Sequence, residues 1–395
     1  MTRDARDLGL IFYLPNLGGY RDRANLIGHV IRKLGCGVIV TSRLDLDPKQ
    51  IGIGDIRIAE VESNRRIPGG TALAASRTVS RLLQENRFNV VHDTFGHLLP
   101  LFLYRWRHQG VVFVTSLYNL AEWDLRRVLW PRYRWRTLTQ FNLRTSFHRS
   151  LVQRAVCRAA DCVVVQAPGL IGRLVEYLPW VRSKVTWIPN NVVADQQSID
   201  TPSPVKDEDV IKLLFVGGLT TIKGADHLLT LLSLARAREV QVLADVVGGL
   251  APADERYITE RIERESLTAS ISFPGHMDRA GLDRYHATSD WLFHVSSFDG
   301  SPRVVLEALA RGLPVIGARH PGVTVLDPDE SFILFADPYD PHQLLDRLVE
   351  FKANSTRYAA RAQVGRTYVD KHFSSSAVSQ RYVDLYTRLI DEVSK

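Results

Sequence analysis

The chain has 395 residues, 45% of them hydrophobic and 24% charged, which suits a globular protein of two or three domains, each with its own core. The formal net charge is +7, and no run of residues approaches the ~20 apolar positions needed to cross a bilayer. Cys36, Cys157 and Cys162 lack disulfide or metal spacing, and the charged start Met1 to Asp7 has no signal-like apolar stretch behind it, so a cytoplasmic protein is expected.

In chain order, Leu8 to Leu14, Gly37 to Thr41, Asn89 to His92, Val111 to Ser116 and Cys162 to Gln166 read as buried strands. Helical stretches separate them, the pattern of a parallel α/β sheet. The first strand runs into Gly18-Gly19, where successive backbone N–H groups can cradle an anion. Asp45-Leu46-Asp47 falls in a surface turn after the second strand, and no Cys/His cluster suits zinc, so no metal is expected. His92 and His97 flank the end of another strand and are candidates to face a ligand.

Between Ala121 and Ala160 stand nine arginines against two acids, an excess equal to the net charge of the whole chain. Six aromatic residues share this segment, from Trp123 to Phe147. Arginine interleaved with aromatics suits an anionic lipid headgroup layer or a lipid-linked phosphate, against the plainer reading of a solvated helix face. No recognised nucleic-acid module accompanies it, so nucleic acid is not an expected partner.

The polar, proline-bearing stretch from Ala194 to Pro204 reads as an interdomain linker. The expected division is residues 1–195, a linker at 196–208, a second domain at 209–373 and a C-terminal helix at 374–395. A second strand series follows: Ile211 to Val216, Val240 to Val247, Ile271 to Phe273, Trp291 to Val295 and Pro314 to Gly317. The tail from Ser374 to Lys395 has the pattern of one amphipathic helix.

The most informative stretch is Ser296 to Ile316, which sets Asp299 and Glu307 eight positions apart across a loop and the helix that follows. Ser301 reads as the N-cap and Pro302 as a first-turn residue, while Gly312-Leu313-Pro314 stops the helix. Both carboxylates therefore belong to the carboxyl end of a parallel sheet, where ligands sit and where a helix N-terminus attracts phosphate.

This block resembles the acidic-x7-acidic signature of the retaining nucleotide-sugar glycosyltransferases with the GT-B fold, glycosyltransferase family 4. Val185-Thr186-Trp187-Ile188-Pro189-Asn190-Asn191-Val192 resembles that family's "V-x-x-I-P-N-G-V" stretch, and Leu214 to Leu219 with Lys223-Gly224 resembles its "F-V-G-R-L-x-x-x-K-G". Phe273-Pro274-Gly275 and the Pro15 to Tyr20 loop also fit, in the right order.

The resemblance implies two Rossmann-like doubly wound domains facing a cleft, with the C-terminal helix crossing back to the first. It implies Glu307 on the donor ribose, Lys223 on the diphosphate and Asp299 on the transferred sugar, with Gly18 and Gly19 near the phosphate or reacting centre. The catalytic candidates are Asp299, Lys223 and His92. The donor-binding candidates are Glu307, Gly18, Gly19, Gly218, Ser301 and Arg303, and no cofactor is expected. The expected partners are a nucleotide-sugar donor and a sugar or lipid-linked acceptor, with peripheral contact to an anionic membrane through Ala121–Ala160.

Three departures stand out. Asp299 replaces the commoner glutamate, Gly218 stands where an arginine usually grips the diphosphate, and Ser116 stands where many relatives place a histidine. Arg303 is the candidate substitute for that arginine. The departures leave a non-catalytic GT-B sugar-binding or partner subunit as the main alternative, with a nucleotide-sugar epimerase behind it.

Overall fold

The computed structural model describes residues 8–61, 70–94, 96–103, 105–117, 143–193, 209–252, 254–297, 299–337 and 340–394. The expected linker at 196–208 lies outside them, as do the aromatics Trp123 to Phe141 and the arginines 126 to 136 of the basic segment. The chain forms two compact units: Met1–Val193 with Ser374–Lys395, and Ala194–Phe373.

The first unit holds a seven-stranded sheet in the order β3-β2-β1-β4-β5-β6-β7. Its strands are β1 Leu10–Leu14, β2 Gly37–Thr41, β3 Arg57–Glu60, β4 Val90–Thr94, β5 Val112–Leu117, β6 Cys162–Val165 and β7 Val185–Trp187. Every pairing is parallel. Helices cover both faces, so β1 and β2 read as near-continuous apolar runs, while β4 and β5 start apolar and carry buried polar residues toward their carboxyl ends. In β1, Leu10, Phe12 and Leu14 enter one core cluster while Ile11 and Tyr13 enter the other.

The second unit repeats the plan with six strands in the order β10-β9-β8-β11-β12-β13. These are β8 Val210–Val216, β9 Gln241–Val247, β10 Ile271–Gly275, β11 Trp291–His294, β12 Val315–Ala318 and β13 Ile333–Ala336, again all parallel. Each sheet reverses its strand order next to its first strand, between β1 and β4 and between β8 and β11, and such a switch point opens a crevice at the strands' carboxyl ends.

Three strands differ from or extend the sequence expectation. Edge strand β3 has exposed charged ends, Arg57 and Glu60, which resemble a surface turn in sequence. Short β7 and β13 carry three and four residues, below the length at which an apolar run stands out.

The helix Ser375–Val393 belongs to the first unit. The Ser374 side chain caps it, accepting from the Ala377 N–H at 3.4 Å. Its buried face, with Val378, Tyr382, Tyr386, Leu389 and Ile390, follows the i, i+4 spacing and packs on the helix Arg21–Leu34. Lys33 Nζ donates to the Ser376 carbonyl at 2.9 Å, and Ser374 bridges back to Val192. Among the described residues no helix is long and apolar enough to cross a membrane.

Candidate active site

In the second unit two loops are sewn together at the switch point. The Ser297 N–H donates to the Ile222 carbonyl at 2.8 Å, and Ser296 Oγ donates to the same oxygen at 3.2 Å. Gly224 closes the seam, because a Cβ there would lie 2.3 Å from the Val295 carbonyl oxygen, and its φ of 95° suits glycine alone. Lys223, between Ile222 and Gly224, is thereby fixed beside the end of β11. Its Nζ lies 3.3 Å from where a Gly217 side chain would begin, so it reaches back over the glycine turn after β8.

Asp299 is held from the other side. A Cβ on Gly322 would stand 2.2 Å from the Asp299 carbonyl oxygen, so only glycine lets the loop after β12 approach so closely. The carboxylate Oδ1 receives the Ser301 N–H at 3.3 Å, and Oδ2 lies 3.6 Å from His294 Nε2. Burial pushes the Asp299 carboxyl above its usual range, opposed by the Ser301 and Gly300 N–H groups and by the Lys223 ammonium. The same burial drives His294 down to about 3, helped by His320 and Lys223, so its imidazole is neutral at physiological pH. The His294 and His320 ring centroids are 6.5 Å apart.

His294 was not among the sequence candidates. It stands inside the apolar run Trp291 to Val295, where a single histidine reads as core. The signal was its place at the last strand position, five residues before Asp299.

Glu307 lies on the helix Arg303–Ala310, with its carboxylate partly exposed and 3.4 Å from Arg303 Nη2. Arg303 thus pairs with Glu307 one helical turn on. The cap differs from expectation: Pro302 occupies the N-cap position, no side chain caps the helix, and Ser301 is spent in the Asp299 turn through its N–H. Gly218 is open, with Ala251 Cβ at 3.9 Å the nearest neighbour to a built Cβ.

The remaining candidates lie in the first unit. The Gly18 N–H donates to Asp45 Oδ1 at 2.6 Å and the Gly19 N–H to Asn16 Oδ1 at 2.7 Å, so side chains of the protein already fill this cradle. His92 is corrected from a ligand-facing histidine to an internal one. It is fully buried, with Nδ1 at 2.6 Å from Tyr386 Oη and Nε2 at 2.7 Å from Ser116 Oγ. Arg23 Nη2 joins the network, donating to Tyr382 Oη at 2.6 Å and to Ser116 Oγ at 3.2 Å. Ser116 is therefore part of the internal scaffold. His97 rests against the Tyr13 ring at 5.5 Å. Among the described residues no three His, Cys, Asp or Glu side chains gather as a metal would require.

Both halves match family models: residues 18–191 the "glycosyl transferase 4-like domain" and residues 196–367 the "glycosyl transferases group 1". The mannosylfructose-phosphate synthase of Agrobacterium fabrum is 23% identical over 62% of this chain, which spans 56% of that relative's length. The sucrose-phosphate synthase of Thermosynechococcus elongatus superposes with a TM-score of 0.74 at 18% identity, covering 98% of this chain and 100% of its own. Anabaena HepE, solved with UDP and glucose, superposes at 0.71 with 14% identity over 96% of this chain and 100% of its own. These likenesses establish the GT-B fold, and on the two family models the chain belongs to the group 1 glycosyl transferases of the glycosyltransferase family 4 type.

Proposed function

We propose that the chain is a retaining, metal-independent glycosyltransferase that moves a sugar from a nucleotide-sugar donor to a sugar or lipid-linked acceptor. The observation that carries this reading is the convergence of Lys223 and Asp299 at the second unit's switch point, with Glu307 on the helix that follows. Glu307 suits the two hydroxyls of a ribose, because its two oxygens accept from a diol. The Lys223 ammonium suits the diphosphate, where it offsets charge building on the leaving group without a metal. Asp299 suits a hydroxyl of the transferred sugar. In the reaction the anomeric carbon–phosphate oxygen bond breaks, a bond to the acceptor oxygen forms on the same face, and the departing phosphate takes the acceptor proton.

That Anabaena HepE was solved with UDP and glucose supports a nucleotide-sugar donor here. The lipopolysaccharide core glycosyltransferase LpsE of Rhizobium meliloti, 23% identical over 58% of this chain, favours an envelope glycan precursor as acceptor. Such an acceptor suits the arginine and aromatic segment Ala121–Ala160, which would rest on the inner face of an anionic membrane. Within its described part, Arg154 stacks on Tyr177 at 4.2 Å.

Melting temperature measured with UDP, GDP, dTDP and ADP, each at millimolar concentration, tests the donor site. A nucleotide present at about 100 times its Kd adds roughly 2.7 kcal/mol to stability. A selective rise is expected with one of them, and Glu307→Ala should remove it without unfolding the protein. No rise with any nucleotide would favour the non-catalytic reading, for which the open site at Gly218 is the specific motive.

A further inference from the structure

The geometry points to His294 as the positioning residue of the donor-sugar subsite: its Nε2–H holds Oδ2 of Asp299, leaving the remaining lone pairs of that carboxylate aimed at a sugar hydroxyl. This deepens the nucleotide-sugar reading above and rests on it.

Four observations converge. His294 is the last residue of β11, and its side chain is only 8% exposed. Its Nε2 has no other hydrogen-bond partner, while Asp299 Oδ2 lies 3.6 Å away. A small rotation of either side chain brings that separation within hydrogen-bond length. The opposite oxygen, Oδ1, is already engaged by the Ser301 N–H, so a donor on Oδ2 fixes the carboxylate plane from both ends. Finally, the loop backbone is clamped by Gly322 and by the Ser297 to Ile222 bond, which leaves the side chain as the main freedom to be restrained.

The chemistry requires a neutral imidazole. A cationic histidine would pair with Asp299 as an ion pair and compete with Lys223 for it, whereas a neutral one orients the carboxylate and leaves its charge for the ligand. Burial keeps His294 neutral, in the direction the role needs. An aspartate held in this way is a short, rigid acceptor that selects a hydroxyl at one distance and angle.

The test separates the sugar from the nucleotide. Affinities of the full chain for UDP and UDP-glucose, and for GDP and GDP-mannose, are measured by calorimetry at pH 7.5 in wild type, His294→Leu, His294→Gln and Asp299→Asn. His294→Leu should bind the preferred nucleoside diphosphate within about twofold of wild type while losing about tenfold toward its sugar ester, the loss of one hydrogen bond to a charged group. Glutamine places an amide N–H near the same point, so His294→Gln should recover most of the loss, which simple repacking does not predict. Asp299→Asn combined with His294→Leu should lose no more than Asp299→Asn alone.

Equal losses for nucleotide and sugar nucleotide, or no loss for either, would overturn the assignment, as would a glutamine variant no better than leucine. Should His294→Leu not fold, the glutamine variant decides alone, since a tenfold loss of the sugar increment there contradicts the role. Wild-type protein that binds nucleoside diphosphates without any added contribution from the sugar also overturns it. Binding of neither pair by wild type, with no rise in melting temperature from dTDP or ADP either, removes the donor reading and the inference with it.

Discussion

The two units are built on one plan, and their switch points differ mainly in what the neighbouring loops deliver. In the first, a double glycine after β1 receives the Asp45 carboxylate on the Gly18 N–H, and the histidine of β4 is enclosed between Tyr386 and Ser116. In the second, a double glycine after β8 lies beside the Lys223 ammonium, and the histidine of β11 lies against Asp299, with His320 nearby. The same topology thus yields one crevice filled with the protein's own anion and one presenting a cation. Topology provides the concavity, and side chains arriving from distant loops set its sign and decide whether a ligand is needed to complete it.

The largest expected effect breaks the second site. Lys223→Ala should weaken nucleoside diphosphate binding at least about 100-fold, roughly 2.7 kcal/mol, with melting temperature in the absence of ligand little changed, because the half-buried lysine sits in a loop outside the hydrophobic core. Calorimetric titration checks it, and an unchanged Kd would move the diphosphate elsewhere.

The matching change in the first unit should do the opposite. His92→Ala takes the His92 partner from buried Tyr386 and leaves Ser116 with Arg23, at about 1–3 kcal/mol, while nucleotide affinity stays as in wild type. Chemical denaturation alongside titration separates the two effects.

Gly218→Arg sharpens the comparison by adding charge to the second crevice. The position has open space around a built Cβ, and its φ is not in the left-handed region, so a side chain enters without strain. Donor affinity should rise about tenfold, by roughly 1.4 kcal/mol, with a steeper salt dependence.

The smallest effect concerns Asp93, the carboxylate next to His92. It is fully buried, and burial pushes its pKa well above the ordinary value against the weaker pull of the N–H groups of Thr94, Gly96, His97 and Leu98. The folded protein therefore holds a proton that the unfolded chain releases, and stability falls as pH rises above about 4. Asp93→Asn should raise stability at pH 7 and leave it unchanged near pH 3, as thermal melts across that range would show. His294 slopes the other way. Its folded pKa of about 3 lies below the usual 6.5, so its contribution is lost as pH falls between those values, and His294→Gln should flatten that limb.

Much of the second unit was legible in sequence because its signals are local. Asp299 and Glu307 sit within one loop-helix segment, and Lys223 follows its glycine turn by a few residues. The Gly18–Asp45 contact spans 27 positions and the His92–Tyr386 bond spans 294, so no window of sequence contains either. The same distance misplaced His92: without the C-terminal helix in view, a histidine at a strand end looks available. Ser301 illustrates a subtler limit, because a serine before a helix caps it in one turn geometry and braces the preceding aspartate in another.

The return of Ser375–Val393 to the first unit bears on how the chain is made. Tyr382 and Tyr386, the partners of Arg23 and His92, follow the whole second unit in the sequence, so the buried network of the first unit cannot close until residues 194–373 have been made. The second unit is therefore expected to fold before the first is complete, against the usual order in which the N-terminal domain folds first. A released chain of residues 1–373 should carry a protease-resistant second unit beside a first unit that is still cleavable.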